Sequence, residues 1–472
     1  MLENTQVVYG LMGSNPNTSL YKSSCTTPDS SYIVFITGAN ESKTFLFEAA
    51  RKQGLRILVI DSNKSAGLSL ARSGVVDRFI PLELNTDADA AAHQCVAVLR
   101  DAELPIIGIV TFMEMAVLVA SKVADMMGLP GHSPLSVQIA RDKKLTRVVT
   151  AKAGLASMRY YTIKSDEDLL PAAEHVMFPA VLKPVIGADS LGVKRVNTFA
   201  ELKQAFEEAK RVVQSVVISS GLLCVAASDE PSLSSIVPME FLLEEYLDGD
   251  EVDIDLLLHN GRCIYSAVSD NGETFEPYFT ETYGVLPSRL PRDIQEGLEQ
   301  LAIDSVKAIG LDTGVFHIEA KQTSNRGPRL IEINARLGGG PICEMHKRVN
   351  GVDLATEQIR VACGWAPSTQ PTTKKSSPSH AFAYMTTNAL SSGKIGCDLE
   401  FIKTYRNMPG VESVKCRVQP GDVVIGPEDG QPSWLVEIWM CSESMSSSSI
   451  IVEEICDISD MMARDFQDRY DL

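Results

Sequence analysis

Basic residues are scarce in this chain. Lys and Arg number 43 against 61 Asp and Glu, a formal net charge of −18 over 472 residues. Nucleic-acid binders take most of their affinity from a basic field that neutralises phosphates, so no nucleic-acid partner is expected. A local basic pocket for an anionic cofactor, held with a divalent metal, is compatible with this balance. Long apolar runs are absent as well. Nothing approaches the roughly 20 consecutive apolar residues that span a bilayer, and no membrane partner is expected. The start of the chain, Met1–Lys22, has no basic stretch followed by an apolar run, so no secretory signal is expected. The 10 cysteines include no Cys-x-x-Cys pair. In a chain this long they read as reduced thiols of a cytoplasmic protein, not as a disulfide frame or a zinc site. Internal repeats are also missing.

What is present is ordinary globular material. The hydrophobic fraction is 44% and the charged fraction 22%, enough for several cores and contrary to disorder. The length suggests about three domains of roughly 150 residues, or one multi-lobed enzyme.

Residues 1–30 are polar and rich in Ser, Thr and Asn, and read as a flexible tail. Order begins with an apolar strand over 32–36, a Gly-containing turn, a helix over about 42–54 and a second strand over 56–61. Strand, turn, helix, strand is a βαβ unit with a parallel sheet. Further strands at 78–80 and 106–110 and helices over 86–101 and 113–127 complete a small open α/β domain, 31–135. An α+β lobe follows over 136–236. It has helices at 136–153, 165–175 and 198–213, strands at 160–163, 180–183 and 193–196, and a loop-like 219–236. Strands dominate 237–370, at 239–247, 251–258, 262–269, 314–321 and 329–334. A polar linker at 366–379 leads into a C-terminal α+β subdomain, 371–472, in which 440–450 reads as a loop.

The densest chemistry lies in two of those strands. His317, Glu319 and Lys321 are followed, after a turn at 324–327, by Glu332, Asn334 and Arg336. Alternation puts Glu332, Asn334 and Arg336 on one face of a hairpin, with Glu319 able to reach it across the ladder. Two carboxylates and an amide oxygen are hard ligands that suit Mg²⁺, or Mn²⁺, beside nucleotide phosphates. These polar residues interrupt otherwise apolar strands, where unpaired burial costs several kcal/mol. Leu337–Gly340 then supplies backbone N–H groups. Lys183 ends an apolar strand beside Gly187–Gly192, a phosphate-clamp arrangement of one cation and a small flexible loop. Arg141–Lys144 precedes a helix and offers a second lysine, Lys143. At 245–247 the main chain suits an adenine edge, with a carboxylate at Glu244 or Glu251 for the amino group or the ribose. His317 is expected to pack rather than act as a base.

In this order, over about 31–370, these pieces resemble the ATP-grasp superfamily. The resemblance implies an ATP-grasp fold of mixed α/β and α+β class: a pre-ATP-grasp α/β domain, then two lobes clamping ATP. It implies that Lys143 and Lys183 hold phosphates under a lid that includes Gly187, Ser190 and Gly192. Glu244, Glu245, Tyr246 and Leu247 would form the adenine hinge, and Glu251 would face the ribose. Glu319, Glu332 and Asn334 would bind the metal, and Arg336 would stabilise the tetrahedral intermediate. A narrower resemblance, to carnosine synthase and related L-amino-acid ligases, rests on Phe279–Thr282, Leu286–Pro291, Gly314–Glu319, Gly327–Gly339 and Asn350–Leu354.

That resemblance implies an ADP-forming ligase joining two small amino acids through an acyl phosphate, with β-alanine and L-histidine the first pair to consider. Glu281 and Arg289 are candidates for the substrate amine and carboxylate, and the backbone of Gly338 and Gly339 for the oxyanion. A homo-oligomer is left open. Two other readings stay open as well. One is an ATP-grasp carboxylase-type enzyme, although no Met-Lys-Met biotin-accepting site is present. The other is a catalytically silent ATP-binding regulator, against which the complete Glu319–Glu332–Asn334 set and Arg336 count.

Overall fold

The computed structural model describes residues 30–40, 43–84, 86–219, 222–225, 232–370, 380–396, 398–442 and 448–471. The tail expected over 1–30 and most of the 366–379 linker fall outside the described residues.

The first unit is a parallel sheet of β1 (Tyr32–Ile36), β2 (Arg56–Asp61), β3 (Arg78–Pro81) and β4 (Ile106–Val110), in the order β3-β2-β1-β4. Every residue of β1 is buried, as a strand covered on both faces must be. Helix Thr44–Lys52 covers one face and helices Ala88–Asp101 and Val117–Met127 the other. A helix from much later in the chain, Leu354–Ala362, packs beside the first of these.

The second unit holds β5 (Tyr160–Ile163), β6 (Ala180–Pro184), β7 (Lys194–Val196), a hairpin of β8 (Val216–Ser219) and β9 (Leu222–Val225), and β10 (Phe241–Glu245). The hairpin stands where a loop was expected. β10 returns between β5 and β6, giving the order β5-β10-β6-β7. The second lobe therefore ends after β10, one strand later than the sequence boundary at 236. The single helix expected over 136–153 is two, Pro134–Arg141 and Lys143–Lys152. Asp142 between them is extended, and its carboxylate caps the second helix at the N–H of Leu145, 2.9 Å away. The break makes Lys143 the first helical residue, at the edge of the site rather than within a helix.

The third unit is an antiparallel sheet of eight strands. Five are β11 (Asp250–His259), β12 (Arg262–Asn271), β13 (Tyr283–Leu286), β14 (Gly314–Thr323) and β15 (Gly327–Asn334). The C-terminal segment adds β16 (Ala381–Asn388), β17 (Gly393–Ile395), β18 (Val411–Cys416), β19 (Val423–Val424), β20 (Trp434–Ser442) and β21 (Tyr470–Asp471). The large sheet runs β15-β14-β11-β12-β13-β16-β20-β18, while β19, β17 and β21 form a small one. The segment after 371 thus continues the third unit's sheet through β16, β20 and β18 and adds the small sheet beside it. Part of the 440–450 stretch is regular: Met440–Ser442 ends β20, and Ser448 opens helix Ser448–Gln467. Helices Arg292–Ala308 and Ile342–Asn350 also lie where strands were expected to dominate.

Alternation along the third sheet decides what faces what. Val252, Ile254, Leu256, Phe316, Ile318 and Ala320 pack with Leu298, Leu301, Ala302 and Val306 of helix Arg292–Ala308. The intervening residues of β11 and β14 include Asp253, Asp255, His317 and Glu319, which point away from that helix. On β15 the ladder shifts between Glu319–Glu332 and Ala320–Leu330, so Ile331 is bulged. The bulge keeps Leu330 in the core while Glu332 and Asn334 share the face of Glu319.

Candidate active site

A cavity of about 320 Å³ opens between the second and third units. Its walls include Lys143, Lys183 of β6, the loop 187–191, the strand end 244–247, Glu251 and Asp253 of β11, and Glu281. The floor is His317, Glu319, Glu332, Asn334 and Arg336, with Gly339 and Gly340 beyond. Tyr384, Thr386, Arg417, Trp434 and Glu437 close the side supplied by the C-terminal segment.

The floor follows from register. Glu319 lies opposite Glu332 on β15 and opposite Asp253 on β11, and His317 lies opposite Asn334 and Asp255. Lys143 Nζ reaches Glu332 at 2.8 Å. Burial works against the charge on Lys143, but Glu332 leaves its pKa raised. Burial alone would lift Glu332 too; Lys143 holds it below the usual carboxylate range. Glu319 has no such cation, and burial with the Glu332 charge drives its carboxyl well above that range. Two facing carboxylates with one lysine between them are what a divalent cation would relieve. Among the described residues no group of three or more His, Cys, Asp or Glu forms a metal cluster; the candidate set is two carboxylates and the Asn334 amide.

His317 sits between acids, with Nδ1 3.0 Å from Asp255 and Nε2 3.8 Å from Asp253. Burial opposes its charge, yet the two carboxylates lift its pKa to about 10. An imidazolium held this firmly is a poor general base at neutral pH. Asp255 also meets His346 at 2.8 Å, and His346 meets the Tyr265 hydroxyl at 2.6 Å. The chain is buried and fully partnered, as burial demands.

The lysine beside the lid is held differently. Lys183 Nζ lies 2.5 Å from Glu244. Glu244 also receives Arg147, at 2.8 and 3.3 Å, and the Arg147 guanidinium donates onward to the bulged carbonyl of Ile331 at 2.6 Å. Burial would raise Glu244, but the two cations bring it down to about 2. Its carboxylate is paired with those two cations rather than left open to the cavity. Glu245, on the opposite face, is turned to Arg159 and to Arg326, the latter at 3.1 Å. Tyr246 donates to Glu276 at 2.7 Å, and Arg195 stacks 4.3 Å over its ring. The Leu247 carbonyl accepts from Lys321 at 3.4 Å, and Glu251 pairs with Lys321 at 3.4 Å. Along this wall the Glu245 N–H donates to the Arg159 carbonyl at 3.0 Å and the Tyr246 N–H to the Pro179 carbonyl at 3.2 Å, and the Glu251 carboxyl is raised mainly by burial.

The lid lies over these groups. Asp189, Ser190 and Gly192 have φ of 56°, 54° and 74°. Ser190 Oγ donates to the Phe279 carbonyl at 3.1 Å. Gly187 and Ser190 line the cavity; Gly192 does not, and a Cβ there would lie 3.3 Å from Pro184. Arg336 Nε reaches Glu114 at 2.8 Å, and its NH1 donates to the Leu337 carbonyl at 2.9 Å. Gly338 packs behind the floor, where a Cβ would come 2.8 Å from His317 Nδ1. Glu281 lines the cavity, and burial with the Asp253, Asp189 and Glu251 charges pushes it up to about 7. Arg289 does not line it. Its guanidinium is held by Asp270 at 2.9 Å and by the Tyr283 hydroxyl at 3.1 Å, which corrects its reading as a substrate contact.

Several site residues escaped the sequence reading. Asp253 and Asp255 carried a usable signal, being acids at alternate positions of the apolar strand Val252–Leu258. Glu114, Arg147 and the C-terminal wall had none, since each lies far along the chain from the residues it meets.

Residues 176–344 match the ATP-grasp domain family and residues 47–131 the ATP-grasp N-terminal domain family. Carnosine synthase 1 of Gallus gallus is 31% identical over 357 residues, which are 74% of this chain and 37% of that protein. Alanine–anticapsin ligase of Bacillus subtilis (strain 168) is 28% identical over 262 residues, 54% of this chain and 53% of that one. The chain thus spans about two fifths to half the length of these curated relatives. The crystal structure of an L-amino acid ligase from Bacillus licheniformis superposes with a TM-score of 0.74 at 20% identity, covering 92% of this chain and 98% of that one. No helix among the described residues is long and apolar enough to cross a membrane.

Proposed function

We propose that this chain, which belongs to the ATP-grasp superfamily, is an ATP-dependent, ADP-forming ligase that joins two amino acids through an acyl phosphate. One observation carries the reading: Lys143, Lys183, the Glu319–Glu332 pair and Arg336 line a single cavity beneath the 187–191 loop. The resemblance to carnosine synthase, alanine–anticapsin ligase and an L-amino acid ligase supports it.

In this mechanism Lys143 and Lys183 exchange part of their pairing with Glu332 and Glu244 for the phosphates of ATP. The N–H groups of the lid close over those phosphates. Glu319, Glu332 and Asn334 would hold Mg²⁺ or Mn²⁺, whose positive charge offsets that on the transferring phosphoryl group. The carboxylate of the first amino acid attacks the γ-phosphorus and ADP leaves. Glu281 takes that amino acid's ammonium. The amine of the second then attacks the acyl carbon, and the C–O bond to phosphate breaks. Arg336 and the Gly339–Gly340 N–H groups stabilise the oxyanion between these steps. Closure of the lid excludes water, which would otherwise hydrolyse the acyl phosphate. β-Alanine with L-histidine is the first pair to test.

The test is phosphate release from Mg-ATP against a matrix of amino-acid pairs, with mass spectrometry of the products. The expected result is ADP, phosphate and a dipeptide, each requiring both amino acids. AMP and pyrophosphate, or ATP turnover indifferent to amino acids, would overturn the proposal.

A further inference from the structure

The cavity lining combines acids and cations. Around His317 it is acidic, with Glu251, Asp253, Glu281 and Glu319 within one wall and floor. Cations from distant parts of the chain also meet at the lining, where Arg336 pairs with Glu114 and Arg417 with Glu437. Arg336 follows β15, and Arg417 follows β18. Lys43, at the start of helix Thr44–Lys52, is close enough that their charges, after burial, hold its ammonium below its ordinary range.

Arg417 is set up unlike the other cations of the site. Lys143, Lys183 and Arg336 are each at most 15% exposed and paired with carboxylates that are at most 18% exposed. Arg417 is 45% exposed, and among the described residues its side chain has one partner, the buried Glu437. Glu437 is shared with Lys415 at 3.5 Å and with the Trp439 indole N–H at 2.8 Å. A guanidinium carries five N–H donors in a planar fork. Glu437 fixes the fork and leaves most of its donors open beside Trp434, which also lines the cavity. A carboxylate is the group that such a fork binds through two parallel hydrogen bonds.

The chemistry of a ligase says which carboxylate this is. The first amino acid spends its carboxylate at the phosphate and presents its ammonium to the acidic end. The second brings an amine to the acyl carbon and keeps its carboxylate throughout. We propose that Arg417, on the C-terminal segment, binds the α-carboxylate of the amine-donating amino acid and thereby restricts that substrate to free acids. This rests on the ligase reading above. It gives the C-terminal segment a specificity role: the Trp434 side of the pocket receives the second amino acid and aims its amine toward Arg336.

The test uses the full chain and two assays. Hydroxylamine with ATP and the first amino acid traps an acyl phosphate as a hydroxamate, which checks the ligase reading without the second substrate. Peptide formation is then compared for the second amino acid, L-histidine first, and for its carboxamide. The wild type should prefer the acid by about 100-fold in kcat/KM, as expected for a charge-assisted bidentate contact. Arg417→Met should bring that preference below about fivefold, chiefly through the KM of the acid. Arg417→Lys keeps the charge against Glu437 and should restore part of the preference, separating a binding role from a folding defect. Arg417→Met with the wild-type preference, or with acid and amide losing in proportion, overturns the inference and leaves the ligase reading standing. A wild type that forms neither hydroxamate nor peptide overturns both.

Discussion

At the scale of single residues, the floor of the cavity is destabilising by design of its charges. Glu319 and Glu332 face each other in the β14–β15 ladder, and among the described residues Lys143 pairs with Glu332 and no lysine pairs with Glu319. Glu319→Gln replaces a carboxyl whose ionisation burial and the Glu332 charge oppose with a neutral amide of nearly the same shape. We expect a higher midpoint of thermal unfolding without nucleotide or metal, together with a loss of turnover of at least about 100-fold. Calorimetry and the phosphate-release assay check the two halves, and an earlier-melting variant would show that the repulsion is absent. Glu281 makes a pH prediction. Burial and its acidic neighbours raise it from 4.5 to about 7. Between those values the folded protein keeps a proton that the unfolded chain has released. Its contribution to stability therefore falls as pH rises from about 4.5 to about 7 and changes no further above that. Glu281→Gln should flatten this part of the profile, measured as unfolding midpoints between about pH 5 and 7.5.

At the scale of elements, the turn between β10 and β11 sets the distance from the 245–247 backbone to Glu251. Gly249 there has φ of 89°, and a Cβ would lie 2.1 Å from the Gln322 carbonyl oxygen. Gly249→Ala meets both backbone strain and a clash with main chain that cannot swing aside. A loss of about 3 kcal/mol or more is expected by denaturant titration, with KM for ATP rising in whatever folds. The elements themselves were largely legible beforehand. Strands β6, β11, β14 and β15 are apolar runs interrupted by a few charged residues, and those interruptions are the site. What could not be read is what depends on distant partners. Glu244 looked available until Arg147, 97 positions earlier, was seen to hold it. The Asp142 helix break looked like continuous helix because its flanks share one amphipathic pattern. Arg289 sits in a segment with family resemblance, yet Asp270 takes its guanidinium away from the cavity.

At the scale of the whole molecule, the three units are tied together through the site. Arg336 of the third unit is anchored by Glu114 of the first, 222 positions away. Glu114→Gln weakens that anchor while keeping the hydrogen-bonding shape. We expect turnover to fall by about 10-fold or more with KM for ATP little changed, because the residues proposed to hold the nucleotide lie on the second and third units and not on the first. The C-terminal segment is bound in more deeply still. β13 has only four residues, pairs with β12 at two of them and with β16 at all four. Val285 packs with Ala381, Ala383, Ile438, Ile451 and Ile455 in one core. Ending the chain after residue 370 would strip that core from β13 and leave its edge N–H and C=O groups unpaired, an open template for other chains. The shortened protein is expected to aggregate on size-exclusion chromatography with light scattering, even though both ATP-grasp domain matches remain within it. A truncated chain that elutes as a folded monomer would show that the eight-stranded sheet is two units after all, and that the wall bearing Arg417 is an addition rather than part of the fold.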